Sequence, residues 1–245
     1  MRKINSPKFL VIIGLALFCM HSCKDDSYLS VVPPVPDQSF TEEFDTATAA
    51  VSRGWQFINV SEPLGSGIWQ NGGTIPPFFN AFSNNGSYAG FIGINYLSTS
   101  AQQGTISNWL VSPAVILQNG DKIIFYTRAV QKPYGSTGDT TDFGNSVQLR
   151  INISDDGTDV GTGADPGHFE KSLLTINPQL IYSSALYPNQ GAYPTVWTRF
   201  EAMISGLDAP VKGRFGFRYY VKNGGSNGNG TGIAIDAVAY KTTGY

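Results

Sequence analysis

A strict two-residue rhythm constrains this chain more than any other feature. Val147, Leu149, Ile151 and Ile153 alternate with Gln148, Arg150, Asn152 and Ser154. Successive side chains of a strand point to opposite faces, so such a stretch folds as a strand with one face buried. Val196, Thr198, Phe200, Ala202 and Ile204 repeat the pattern between Trp197, Arg199, Glu201 and Met203. Phe215, Phe217, Tyr219 and Val221 repeat it between Arg214, Gly216, Arg218 and Tyr220. The runs 122–130 (KIIFYTRAV) and 232–241 (GIAIDAVAYK) are also β-rich. Trp109, Leu110 and Val111 read as a buried strand stopped at Ser112-Pro113, because proline cannot donate to a ladder. Stretches such as 119–121 and 223–232 hold the Gly, Asn and Asp that turns require. Residues 46–52 suggest a helical turn or two. Many short strands with glycine-rich turns predict an all-β domain, a sandwich or a barrel.

The first residues follow different physics. Arg2, Lys3 and Lys8 precede an apolar run, 9–20, of 12 residues. A bilayer core needs about 20 residues of helix, so this run is too short to span one and fits a secretory signal. Ser22-Cys23 after it resembles a loose bacterial lipobox of the kind found in lipoproteins of the Bacteroidota. Lys24-Asp25-Asp26 resembles the signal that sends such proteins to the outer face of the outer membrane; its bland alternative is a solvated linker. The expectation is a signal peptide over 1–22, lipidation at Cys23 and attachment to the outer membrane through that anchor, facing the exterior. Residues 30–39 (SVVPPVPDQS) hold three prolines and suit an extended spacer. The expected division is 1–22 signal, 23–39 lipidated N-terminus and tether, and 40–245 one domain.

Processing would move the formal charge from −2 to −5, because residues 1–22 carry three positive and no negative side chains. A mildly acidic chain argues against nucleic acid, which needs a basic patch. Cys19 would leave with the signal, and His168 would be the single histidine left, so Cys/His zinc chemistry is excluded. Some 220 residues are enough to bury a sizeable core without a disulfide.

Several motifs occur in a telling order: FTEEFDTA at 40–47, Gly54-Trp55, GIWQ at 67–70, SNWLVSPAVIL at 107–117, Gly120-Asp121 with IIFYTRA at 123–129, VQLRINISDDG at 147–157 and GIAIDAVAY at 232–240. Together they resemble the choice-of-anchor J domain, related to cleaved-adhesin and MAM-like jelly rolls, over roughly residues 40 to 241. The resemblance implies a jelly-roll β-sandwich of two antiparallel sheets on a surface protein. It implies adhesion or glycan binding, and no catalysis. It also implies one structural calcium ion where the first and last strands meet, matched here by Glu43, Asp45 and Asp236. This chain departs from the family at Ala237, where an oxygen-bearing side chain is common. Asp236 has a second reading, as the acceptor of a turn or the partner of an arginine.

No G-x-S-x-G elbow and no H-E-x-x-H is present. His168 lies in a Gly/Pro/Asp loop, where a histidine is usually solvated. Glu43, Asp45, Glu62, Asp155, Asp156 and Glu201 are the carboxylates from which a glycoside-hydrolysing pair would have to come. The acidic loop 155–165 lacks the ligand spacing of an EF-hand and suits a solvated turn. Trp55 and Trp69 fit the core. Recognition is expected on long loops, where a rigid scaffold can place side chains freely. Loops 132–145 and 182–193 carry Tyr134, Phe143, Tyr187 and Tyr193 among Gly, Ser and Asn, and Pro76-Pro77-Phe78-Phe79 is a further such stretch. Flat apolar rings beside hydrogen-bonding groups suit sugars, protein partners or packing onto a sheet. Two functions stay open: a non-catalytic binding module for glycans or surface proteins, and a structural subunit of an outer-membrane uptake or protease assembly.

Overall fold

In a computed structural model of the chain, the described residues are 34–83, 88–186 and 189–243. The expected signal segment, Cys23 and Tyr187 lie outside them. Along the chain, β1 (Phe40–Glu42) leads into helix α1 (Ala47–Ser52), followed by β2 (Gln56–Asn59), β3 (Gln70–Asn71) and β4 (Ile92–Asn95). A 3₁₀ turn (Tyr96–Ser98) precedes β5 (Gly104–Val111), β6 (Val115–Leu117) and β7 (Lys122–Ala129). A hairpin of β8 (Lys132–Tyr134) and β9 (Asp139–Thr141) comes next. Then follow β10 (Val147–Asn152), β11 (Lys171–Ile176), β12 (Thr198–Met203), β13 (Val211–Gly224) and β14 (Gly232–Lys241). The helix starts where Thr46 caps it, accepting from the Ala49 amide with its side chain.

The fold is an all-β sandwich. One sheet runs β12-β7-β14-β4-β3 with β1 on β14, and the other β11-β10-β13-β5-β2 with β6 on β13. Every strand pairing in the two sheets is antiparallel. The two-residue rhythm sets which faces meet. Val147, Leu149 and Ile151 of β10 and Phe215, Phe217, Tyr219 and Val221 of β13 are buried in one cluster with Ile123 and Phe125 of β7. Phe125 meets Phe217 across the gap at 4.8 Å between ring centroids. Trp55 and Trp69 belong to this core. In β14 the parity changes midway. Ile233 and Ile235 face the core, a register shift falls between Asp236 and Ala239, and Val238 and Tyr240 face the core beyond it.

Both outer faces are partly covered by straps. Over the first sheet, Phe78, Phe79, Ala81 and Phe91 pack with Trp197 and Ala234, and the Arg128 guanidinium lies 3.9 Å over the Phe79 ring. The 76–79 stretch is therefore largely packing. Over the second sheet, the 153–170 loop lays Val160 and Phe169 on Trp109 and Val111. Arginines on the strands hold this loop by its carbonyls: Arg150 to Phe169 and Glu170, Arg214 to Asp156, and the buried Arg218 to Gly163. The acidic loop is thus a packed strap as well as a solvated turn.

Chain reversals between the sheets define two poles. Connections β4–β5, β7–β10, β11–β12 and β13–β14 all cross at the pole where β13 ends and β14 begins. The first and last strands of the domain meet at the opposite pole. There Phe40 pairs with Tyr240, and Thr242 bonds Ser39 and Asp37. The compact unit starts at Val35, so residues expected in the tether belong to the domain, with Gln38 accepting from the Ile116 amide.

Candidate binding cleft

At the crossover pole the four connections enclose an open cleft of about 740 Å³. Its floor is Tyr96 from the β4–β5 crossover, with the Lys132 ammonium 4.2 Å above the ring centroid. One wall is aromatic. Phe143 meets Tyr134 edge-on at 5.8 Å and Tyr182 edge-on at 5.9 Å. Tyr134 is 55% and Tyr182 42% exposed. The other wall is the polar β13–β14 connection from Asn223 to Thr231.

These walls are fastened before any ligand arrives. Asp139 accepts from the Thr140, Ala185 and Leu186 amides and from the Ser184 hydroxyl, tying the β8–β9 hairpin to the loop of Tyr182. The Ser184 hydroxyl, foremost, holds its carboxyl below the usual range. Asp142 accepts from the Gly144, Asn145 and Ser183 amides. Asn145, fully buried, accepts from the Tyr219 hydroxyl and the Thr231 and Gly232 amides, and donates to Asp142 and Thr231. The polar wall is stapled in turn. The Gly230 amide donates to Phe143, the Asn227 amide to Gln102, and the Tyr182 hydroxyl to Asn229. Gly230 has φ 80°, and a Cβ there would meet the Tyr219 hydroxyl at 2.5 Å, so glycine is required.

The structure thus brings together Tyr134 and Phe143 from the sequence-based candidates. Tyr193 does not face the cleft. It is 1% exposed, inside the sandwich, and its hydroxyl lies 2.7 Å from Thr127 Oγ1. Burial pushes its phenol upward. A polar partner on the inward face of β7 lets a loop tyrosine sink into the core, so Tyr193 is corrected from ligand contact to core residue. Tyr96, Tyr182 and Lys132 were missed. The signal available for them was only their place beside Gly- and Asn-rich turns.

The carboxylates go elsewhere. Asp155 lies 2.9 Å from His168 Nδ1, Asp156 2.5 Å from Lys212, and Glu201 2.8 Å from Lys122. Among the described residues no Asp or Glu lines the cleft. Among the described residues no three His, Cys, Asp or Glu side chains gather where they could hold a metal. Asp236 is buried beneath the first strap and accepts from the Phe82, Ser83 and Ala237 amides and the Ser83 hydroxyl. These donors fit an anchored carboxylate; a cation would compete with them for the same lone pairs.

No family model and no curated protein matches the chain. Solved structures do. The K1 cleaved adhesin domain of Lys-gingipain from Porphyromonas gingivalis W83 matches with a TM-score of 0.50 at 17% identity, spanning 84% of this chain and 99% of that one. The K3 cleaved adhesin domain of the same protein matches with a TM-score of 0.49 at 18% identity, over 85% of this chain and 100% of that one. At such identities the likeness is one of fold.

Proposed function

We propose that this chain is a non-catalytic surface module that holds carbohydrate in the crossover-pole cleft. The observation that carries the reading is the cleft itself: exposed aromatic rings face a wall of Asn, Ser and Gly groups, with no carboxylate among them. Rings offer flat apolar faces and the opposite wall offers donors and acceptors, the two things a sugar presents in return. Glycoside hydrolysis needs a pair of carboxyl groups about 5–9 Å apart across the substrate. The preformed walls favour binding, because little side-chain freedom is lost when ligand arrives.

The reading includes a lipid anchor at Cys23 and display on the outer face of the outer membrane, with membership of the choice-of-anchor J and cleaved-adhesin class. Its support is the N-terminal sequence and the placing of the cleft at the pole away from residue 40. Among the described residues no helix is long and apolar enough to cross a membrane.

A glycan array probed with residues 35–245 tests the module. Binding that weakens with Tyr134→Ala, without sugar release over hours, is the expected result. Silence across the array, or release of reducing ends, defeats it. For the anchor, Cys23→Ala should free the protein from membranes or block its maturation. Wild-type protein wholly shielded from protease added to intact cells would rule out surface display.

A further inference from the structure

The cleft has a charge character opposite to that of its domain. Residues 34–245 carry a net charge of −4. Yet among the described residues the cleft lining holds one cation, Lys132, and no acid. Asp139 and Asp142, on the same connection as Tyr134 and Phe143 of the aromatic wall, are buried and turned to amide and hydroxyl donors. Lys132 reaches over the Tyr96 ring instead of toward a carboxylate. Lys222, just before the polar wall, lines a neighbouring depression with Gln148 and Tyr220. No ion pair among the described residues involves Lys132 or Lys222.

The cleft also continues. A second depression of about 280 Å³, lined by Leu64, Leu97 and Ala101, shares Tyr96 and Ser226 with the first. It too is free of acidic and basic side chains. A chain laid across both would pass beside Tyr96, whose ring the Lys132 ammonium covers.

We propose that the cleft selects a linear carbohydrate chain bearing anionic groups, carboxylate or sulfate, and that Lys132 is the residue that reads the charge. This rests on the carbohydrate-binding reading above and narrows it. The negative charge of the domain does not oppose it. At physiological salt, charges more than about 8 Å apart are largely screened, so the local ammonium decides. An ammonium supported on an aromatic face is held in place without a competing carboxylate. A charge-assisted hydrogen bond from it to a sugar carboxylate or sulfate is stronger than the neutral bond a hydroxyl could make.

The test measures affinity of the full chain in detergent for three polymers: polygalacturonate (carboxylate), chondroitin sulfate (sulfate and carboxylate) and neutral galactan. Each is measured at low and at physiological salt, for wild type, Lys132→Gln, Lys132→Arg and Lys241→Ala. Thermal melting confirms that each variant is folded. Expected is tighter binding of at least one anionic polymer than of galactan, weakened by salt. Lys132→Gln should lose about tenfold, the size of one charge-assisted contact at a part-exposed site. Lys132→Arg should retain most of the affinity. Lys241→Ala, at the opposite pole, should match wild type. Chondroitin binding that is lost on desulfation names sulfate as the anion, and binding that survives desulfation names carboxylate. Galactan bound at least as tightly as both anionic polymers overturns the proposal and leaves the module reading standing. Anionic binding unchanged in Lys132→Gln overturns the role of Lys132. No binding to any polymer on this panel or on the array overturns both.

Discussion

Tyr134 and Tyr193 come from long connections that both hold Gly, Ser and Asn, yet one faces solvent and the other the core. Their substitutions should separate cleanly. Tyr134→Ala should weaken carbohydrate binding and change stability by less than about 0.5 kcal/mol, as surface changes usually do. Tyr193→Ala should cost about 3–5 kcal/mol, the range for a buried aromatic. Urea denaturation of both variants checks this, and a stability loss at Tyr134 equal to that at Tyr193 would defeat the assignment. Asp236 offers a pH readout. Burial, partly offset by its hydrogen bonds, pushes its carboxyl up to about 6 from the ordinary 3.8. A folded-state pKa above the unfolded one means the proton is held more tightly in the fold. The stability it contributes is full below about pH 3.8 and is lost as pH rises through 6. Wild type minus Asp236→Asn should therefore fall by up to about 3 kcal/mol between pH 4 and 7. Asp139, Asp155, Asp156 and Glu201 are shifted down and act in the opposite sense at lower pH, but they cancel in this difference. A flat difference would show that the hydrogen bonds cancel burial, and a rising one that they outweigh it. Since donors already take both Asp236 oxygens, a chelator should leave the wild-type melting midpoint unchanged.

Connections carry as much of the design as strands do. Asn145 joins the β7–β10 and β13–β14 connections beneath the cleft, and every hydrogen-bonding group of its amide is used. Asn145→Ala orphans the Tyr219 hydroxyl and two backbone amides in a dry site. Each unmet group costs about 1–3 kcal/mol, so the variant should lose at least about 3 kcal/mol and bind more weakly. Guanidinium titration tests this, and a loss under about 1 kcal/mol would mean the connections hold without it. The strap over the second sheet is a parallel case. Arg218 donates to Gly163 and to the Ser107 hydroxyl, and burial pushes its guanidinium down to about 10. Arg218→Ala should open 153–170 to proteolysis before the sandwich unfolds. Cleavage in that loop no faster than in wild type would place the strap's stability in Val160 and Phe169 alone.

The two poles give the domain a direction. Strand β14 runs from Gly232 at the cleft to Lys241 beside Phe40. At about 3.3 Å per residue, that separates the cleft from Phe40 and Lys241 by about 30 Å. A bulky folded tag joined after Tyr245 should therefore leave carbohydrate affinity within twofold of wild type. The same tag inserted between Ser226 and Asn227 should abolish binding while the melting midpoint stays close to wild type, because exposed loop tips tolerate insertion. Equal effects from the two fusions would move the binding site off the crossover pole.

The strands within 109–111, 122–130, 147–154, 196–204, 214–221 and 232–241, the short helix near 46–52 and the buried Trp55, Trp69 and Trp109 were legible from residue order, because alternation depends on neighbours a few positions apart. So was the all-β class, since turn residues and rhythm recur along the chain. The exposure of Tyr134, the burial of Tyr193 and the meeting of Tyr96 with Phe143 and Tyr182 were not. They depend on which connections cross at the same pole, a matter of pairing between strands far apart in sequence. The role of Asp236 was open for the same reason, because its donors Phe82 and Ser83 lie 154 and 153 residues away. Local periodicity determines which face of a strand is buried. Only the closure of two sheets over one core decides which loops, and which charges, share a cleft.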